Sequence, residues 1–126
     1  MSDLPKTTVY ALAKTINMDG IVIPQSTIDK PPSAELRPDQ RDDQSLPDYK
    51  LLDPILELYI EQRLEPHEIA SNGFELETVQ RIAKLVDQAE YKRRQMPVGL
   101  RVTGKAFGSG RRMPIAQRWT AQRGSK

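Results

Sequence analysis

The stretch ELETVQRIAKLVDQAEYKRRQ, residues 75–95, decides the reading of the fold. Leu76, Val79, Ile82, Ala83, Val86 and Ala89 fall at spacings of three and four, so one helical face is apolar. No residue inside the stretch breaks a helix, and Pro97 and Gly99 stop it. The pattern predicts a single helix from Glu75 to about Gln95, the longest of the chain. Just upstream, Glu65-Pro66 opens a short helix that Asn72-Gly73 closes. Gly73 suits the left-handed backbone position after a helix end. Farther upstream, Pro47 and Asp48 open a helix expected over Asp48–Arg63. Its Leu51, Leu52, Ile55, Leu56, Tyr59 and Ile60 make a wide apolar stripe.

The flanks are less regular. Asp3 and Pro5 predict a helix start, with the Asp3 carboxylate accepting from free backbone N–H groups. Val9, Leu12, Ala13 and Ile16 then predict a helix from Pro5 to Ile16, ended by Asn17–Gly20. Ile21–Pro24 is too brief to define a strand. Pro24, Pro31, Pro32, Pro38 and Pro47 discourage regular structure over 24–47, and an irregular loop of that length is generally functional or disordered. Gly99, Gly104, Gly108, Gly110 and Gly124 predict an extended tail over 97–126. The fold class expected from pattern is predominantly α, one domain, with no internal repeat.

Composition narrows the chemistry. The chain has 126 residues, of which 37% are hydrophobic and 6% aromatic, so part of it is expected to lie outside a core. It has no cysteine, which excludes disulfides, thiolate zinc sites and cysteine nucleophiles. Its one histidine, His67, excludes a multi-histidine metal site and is read as a surface residue. No apolar run approaches the ~20 residues of a membrane span. MSDLPKTTVY has no signal-peptide pattern, so a soluble cytoplasmic chain is expected. From Glu35 to Glu68, ten acids face only Arg37, Arg41, Lys50 and Arg63, whereas Lys92 to Lys126 holds ten cations and no acid. Such a tail attracts anions, or it is solvated and offsets the acidic middle. Asp39, Asp42 and Asp43 could bind magnesium through water. The preferred reading is a solvated loop folding over a site.

One stretch supports an alternative. Glu65–Val86 has the short helix, Asn-Gly turn and second striped helix of a helix-turn-helix. The expected solvent face of the second helix carries Glu77, Thr78, Gln80, Arg81, Lys84, Asp87 and Gln88. That mixture of signs suits a phosphate backbone poorly.

Three strings carry a family resemblance: DLPKTTVYALA (3–13), IPQSTIDKPPSAELRPDQRDDQSLPDY (23–49) and EYKRRQMPVGLRVTGKAFG (90–108). In this order they resemble the C-terminal part of NAD+ synthetase, above all the large glutamine-dependent form, over about Asp3–Trp119. The resemblance implies the helical C-terminal portion of an α/β Rossmann-like, ATP-pyrophosphatase-type synthetase domain that forms homo-oligomers. It implies a two-step reaction. ATP adenylylates the nicotinate carboxylate of deamido-NAD and pyrophosphate leaves. Ammonia, supplied by a glutaminase domain, then displaces AMP. By the same resemblance Lys6 matches a lysine at ATP, Ser33 a hydroxyl position at ATP, and Lys92 a lysine at deamido-NAD. Tyr91 stands where related enzymes can carry histidine, beside the same substrate. The family's Mg2+ ligands lie upstream.

The family's pyrophosphate-binding loop, SGGxDS, is absent. The nearest glycine cluster, Gly108–Arg112, follows no strand and opens no helix. The chain is therefore expected to be a C-terminal fragment, inactive alone and completed in trans by an upstream synthetase and glutaminase segment. No catalytic residue is assigned within it, and neither membrane nor nucleic acid is expected as a partner. Without most of the parent sheet, its helix stripes would lack a facing surface.

Overall fold

A computed structural model describes residues 3–30, 46–96, 99–104 and 113–116. These residues are mostly helical, and among them there is no strand. The elements are α1 (Lys6–Ile16), a 3-10 turn (Asn17–Asp19), α2 (Gln25–Asp29), α3 (Tyr49–Leu56), a π turn (Glu57–Glu61), α4 (Pro66–Ser71), α5 (Leu76–Gln88) and α6 (Glu90–Arg94). The chain divides into two compact units, one of Pro5–Asp53 and one of Met1–Leu4 with Pro54–Lys126.

The second unit holds a core. Ile55, Tyr59 and Ile60 supply its first stripe, Ile69 comes from α4, and Val79, Ile82, Ala83 and Val86 come from α5; all are buried. Helix α4 packs against α5. It starts with a capping box in which the Glu65 N–H donates to the Glu68 carboxylate at 2.7 Å. Gly73 has φ +98, the left-handed conformation expected of it. The helix expected over Asp48–Arg63 begins as predicted, with the Lys50 N–H donating to Asp48 at 2.9 Å. It then widens into the π turn, where the Gln62 N–H reaches the Glu57 carbonyl at 3.2 Å. It ends at Arg63, whose φ of 60 is the one positive value on a non-glycine residue among the described residues.

Two expectations about helices are corrected. The longest helix does not run unbroken to Gln95: it ends at Gln88, and α6 restarts after Ala89 (φ −82, ψ 7). Asp87 and Glu90 follow the apolar face of α5 at helical spacing and are buried; both accept hydrogen bonds from side chains. The region after Pro24 also holds one short helix, α2, with Pro24 at its N-cap. The rest of the proline-rich loop, 31–45, lies outside the described residues.

The Pro5–Asp53 unit is different. Helix α1 has the predicted bounds within a residue, yet none of its residues is buried, nor any of the 3-10 turn or α2. Among the described residues of this unit only Leu52 and Asp53 are buried.

Candidate functional site

Lys6 is the first residue of α1, after an N-cap Pro5 that offers no side-chain acceptor. The acceptor comes instead from Asp53 on α3. Its buried carboxylate takes the Thr7 N–H at 2.8 Å and the Thr7 hydroxyl at 2.7 Å. Asp3, expected to cap this helix, does not. Its Oδ2 accepts from the Val102 N–H at 2.8 Å, the Thr103 N–H at 3.0 Å and the Thr103 hydroxyl at 3.1 Å. The Val102 amide, with the Thr103 amide and hydroxyl, holds the Asp3 carboxyl below its usual value against the opposing effect of burial. Asp3 Oδ1 is buried and has no hydrogen-bond partner among the described residues.

The consequence for Lys6 is electrostatic. An anion already sits at the α1 N-terminus, so an approaching phosphate meets the Asp53 carboxylate there as well as the helix dipole. The Lys6 ammonium, 5.6 Å from the centroid of the Tyr10 ring, would have to act through its own charge.

At the other end of the chain, α6 sorts three adjacent cations. Arg93 is buried and pairs with buried Glu90, Nη2 to Oε2 at 2.6 Å with Nε at 3.0 Å. Arg94 reaches the other Glu90 oxygen at 3.4 Å and donates to the Met113 carbonyl at 3.0 Å. Burial pushes the Glu90 carboxyl up, but the Arg93 hydrogen bond, the Met113 backbone, the Arg93 charge and Arg94 outweigh it. The net result is a value below the ordinary one. Lys92 is exposed and makes no ion pair among the described residues; its ammonium lies 6.0 Å from the ring centroid of Tyr91, itself exposed. Among the described residues, Lys92 is thus the cation of the EYKRR string that no carboxylate engages.

Tyr91 and Lys92 are brought together on α6, whereas Lys6 belongs to the other unit. Ser33, Asp39, Asp42 and Asp43 lie outside the described residues. Among the described residues no three His, Asp or Glu side chains gather as a metal site would require. His67 is exposed on α4. Sequence reading missed Asp53 and Glu90. Each had a signal: an acid inside an apolar stripe, Asp53 between Leu52 and Ile55, Glu90 four residues after Val86.

The arrangement is a set of helices presenting isolated cations, with no complete reaction centre among the described residues. The NAD synthase family model matches residues 1–97, and the chain belongs to that family. It is 50% identical to the glutamine-dependent NAD(+) synthetase of Synechocystis over 97% of its length, but spans only 22% of that protein. It is 44% identical to the Thermotoga maritima enzyme of the same name, over 94% of this chain and 21% of the relative. Among solved structures, the glutamine-dependent NAD+ synthetase of Acinetobacter baumannii, in complex with ADP, matches with a TM-score of 0.58 and 41% identity. That match covers 94% of this chain and 20% of the other. The chain therefore spans about a fifth of the length of the relatives it matches.

The helix-turn-helix alternative gains no support. Its two helices exist as α4 and α5, but Asp87, placed on the solvent face, is buried and accepts from the Tyr59 hydroxyl at 2.9 Å. The same stretch falls inside the family match.

Proposed function

We propose that this chain supplies the C-terminal portion of a glutamine-dependent NAD+ synthetase and is inactive until the rest of that enzyme joins it. The reaction is the ATP-driven amidation of deamido-NAD. The nicotinate carboxylate attacks the α-phosphorus of ATP and pyrophosphate leaves; ammonia then attacks the acyl carbon of the adenylate and AMP leaves. In this reading Lys6 and Ser33 serve ATP, and Lys92 with Tyr91 serves deamido-NAD. The complementary segment brings the pyrophosphate-binding loop, the Mg2+ ligands and the glutaminase. A Rossmann-like ATP-pyrophosphatase context, a homo-oligomeric complete enzyme and a cytoplasmic location belong to the same proposal.

The family match carries this reading. The state of α6 supports it: Arg93 and Arg94 are engaged by Glu90, and Lys92, exposed and without an ion pair among the described residues, can meet a phosphate of the dinucleotide as a point charge. Lys92 would bind and orient, and positioning is what an adenylylation followed by ammonia attack requires of a protein.

The test is NAD+ formation from deamido-NAD, ATP and ammonia or glutamine. It is run with the isolated chain and with the chain substituted for its counterpart in the Synechocystis enzyme. The isolated chain should be silent and the substituted enzyme active. Lys92→Ala should then raise KM for deamido-NAD more than for ATP, and Lys6→Ala the reverse. Turnover by the isolated chain, or indifference to both substitutions, refutes the assignment.

A further inference from the structure

The loop that follows α1 holds large apolar side chains in water. Met18 is 80% exposed, Ile21 85% and Val22 71%. Leu12 and Ile16, one helical turn apart on α1, are exposed too. An apolar loop free to collapse would cover some of this surface. Here it is pinned open. The Asn17 carboxamide donates to the Ile23 carbonyl at 2.8 Å and accepts the Val22 and Ile23 N–H groups at 3.0 and 2.9 Å. Gly20, at φ +144, takes a backbone conformation that L side chains rarely adopt, with none of the described residues within 4 Å of where a Cβ would stand. One side chain and one glycine thus hold Met18, Ile21 and Val22 in a fixed outward display.

We infer that this display is a docking surface for the rest of the synthetase polypeptide. The inference rests on the functional reading above and names the partner that reading requires. Two facts choose the occupant. The Synechocystis relative aligns over 97% of this chain yet has most of its length outside the aligned stretch. Between Leu12 and Ile23 the only charged residues are Lys14 and Asp19, one of each sign. A surface that is apolar and locally neutral fits an apolar protein face, not nucleic acid or an anionic lipid surface. A preformed surface also loses little conformational freedom on docking.

The experiment substitutes Ile21→Asp together with Val22→Asp in two settings. In the isolated 126-residue chain the substitutions should leave the unfolding midpoint unchanged, because both side chains already meet water. With this chain in place of its counterpart in the Synechocystis enzyme, they should lower the thermal midpoint by several degrees. A second measurement is co-purification of the tagged chain, co-expressed with the Synechocystis enzyme lacking that counterpart; the recovered partner should fall about tenfold or more, a decade being about 1.4 kcal/mol of affinity. Equal midpoints and equal recovery with and without the substitutions overturn the inference. So does a dimer of the isolated chain, seen in sedimentation and abolished by the same substitutions, if recovery of the partner is unaffected. A stable, substitution-sensitive hybrid that makes no NAD+ would refute the functional reading and leave the docking surface standing.

Discussion

The apolar stripes of α1 and α5 are written in the same spacing and meet different fates. On α5, Val79, Ile82, Ala83 and Val86 are buried; α4 packs against this helix, and the π turn, itself packed on α4, reaches α5 through the Tyr59–Asp87 hydrogen bond. On α1, Val9, Leu12, Ala13 and Ile16 include no buried residue. Periodicity reports that a helix has a face to bury. It carries no information on whether the covering surface lies in the same polypeptide. An 11-residue helix has little stability of its own in water, since helices of that length are marginal without tertiary packing. What fixes α1 here acts at its two ends: the Asp53 carboxylate, from α3, at its first turn and the Asn17 clamp after its last.

Substitutions can break this contrast in graded steps. Ile82→Ala, at a position 2% exposed, should cost about 2–5 kcal/mol in denaturant unfolding of the chain, whereas Leu12→Ala should stay within about 0.5 kcal/mol. Comparable costs at both sites would mean that α1 has a covered face after all. Glu90→Gln comes next, at about 1–3 kcal/mol, because it leaves the buried Arg93 guanidinium without its carboxylate. Acid acts on the same group. The folded-state values of Glu90 and Asp3 are lowered, so their contribution is full above the ordinary carboxylate value near pH 4, begins to fade there and is lost as pH falls on through the lower folded-state values. A urea midpoint followed downward from about pH 6 should therefore drop below about pH 4.5, less steeply in the Glu90→Gln chain. Asp53→Ala should cost about 1 kcal/mol, the loss of a helix cap, read as reduced helicity of α1 by NMR secondary shifts with α5 untouched. The smallest effect is Arg63→Gly, expected to stabilise by under about 1 kcal/mol, since it relieves a left-handed conformation on a residue with a Cβ.

Local signals in the sequence located α1, α3, α4, α5 and the Gly73 turn because each is specified by neighbours three or four residues apart. The break at Ala89 was not legible: no proline or glycine marks it. Asp3 was misassigned for a related reason. Its position before Pro5 satisfies the local rule for a cap, while its actual donors lie 99 and 100 residues away. Asp53, the acceptor at the α1 N-terminus, stands 46 residues from Thr7. Of the candidate site, the identity of the residues came from resemblance. That Lys92 makes no ion pair among the described residues while Arg93 and Arg94 are engaged depends on Glu90 being buried beside them, which spacing alone hints at and does not decide.

The bond between Asp3 and Val102-Thr103 also sets an order of events during synthesis. Asp3 leaves the ribosome about a hundred residues ahead of its donors, a delay of roughly 5–20 s at ordinary translation rates. For that interval its carboxylate stays hydrated, and α4 and α5 can form without it. The latch can close only after Thr103 has emerged, so closure of this pair belongs to the last stage of folding, behind the helices that precede it in the chain.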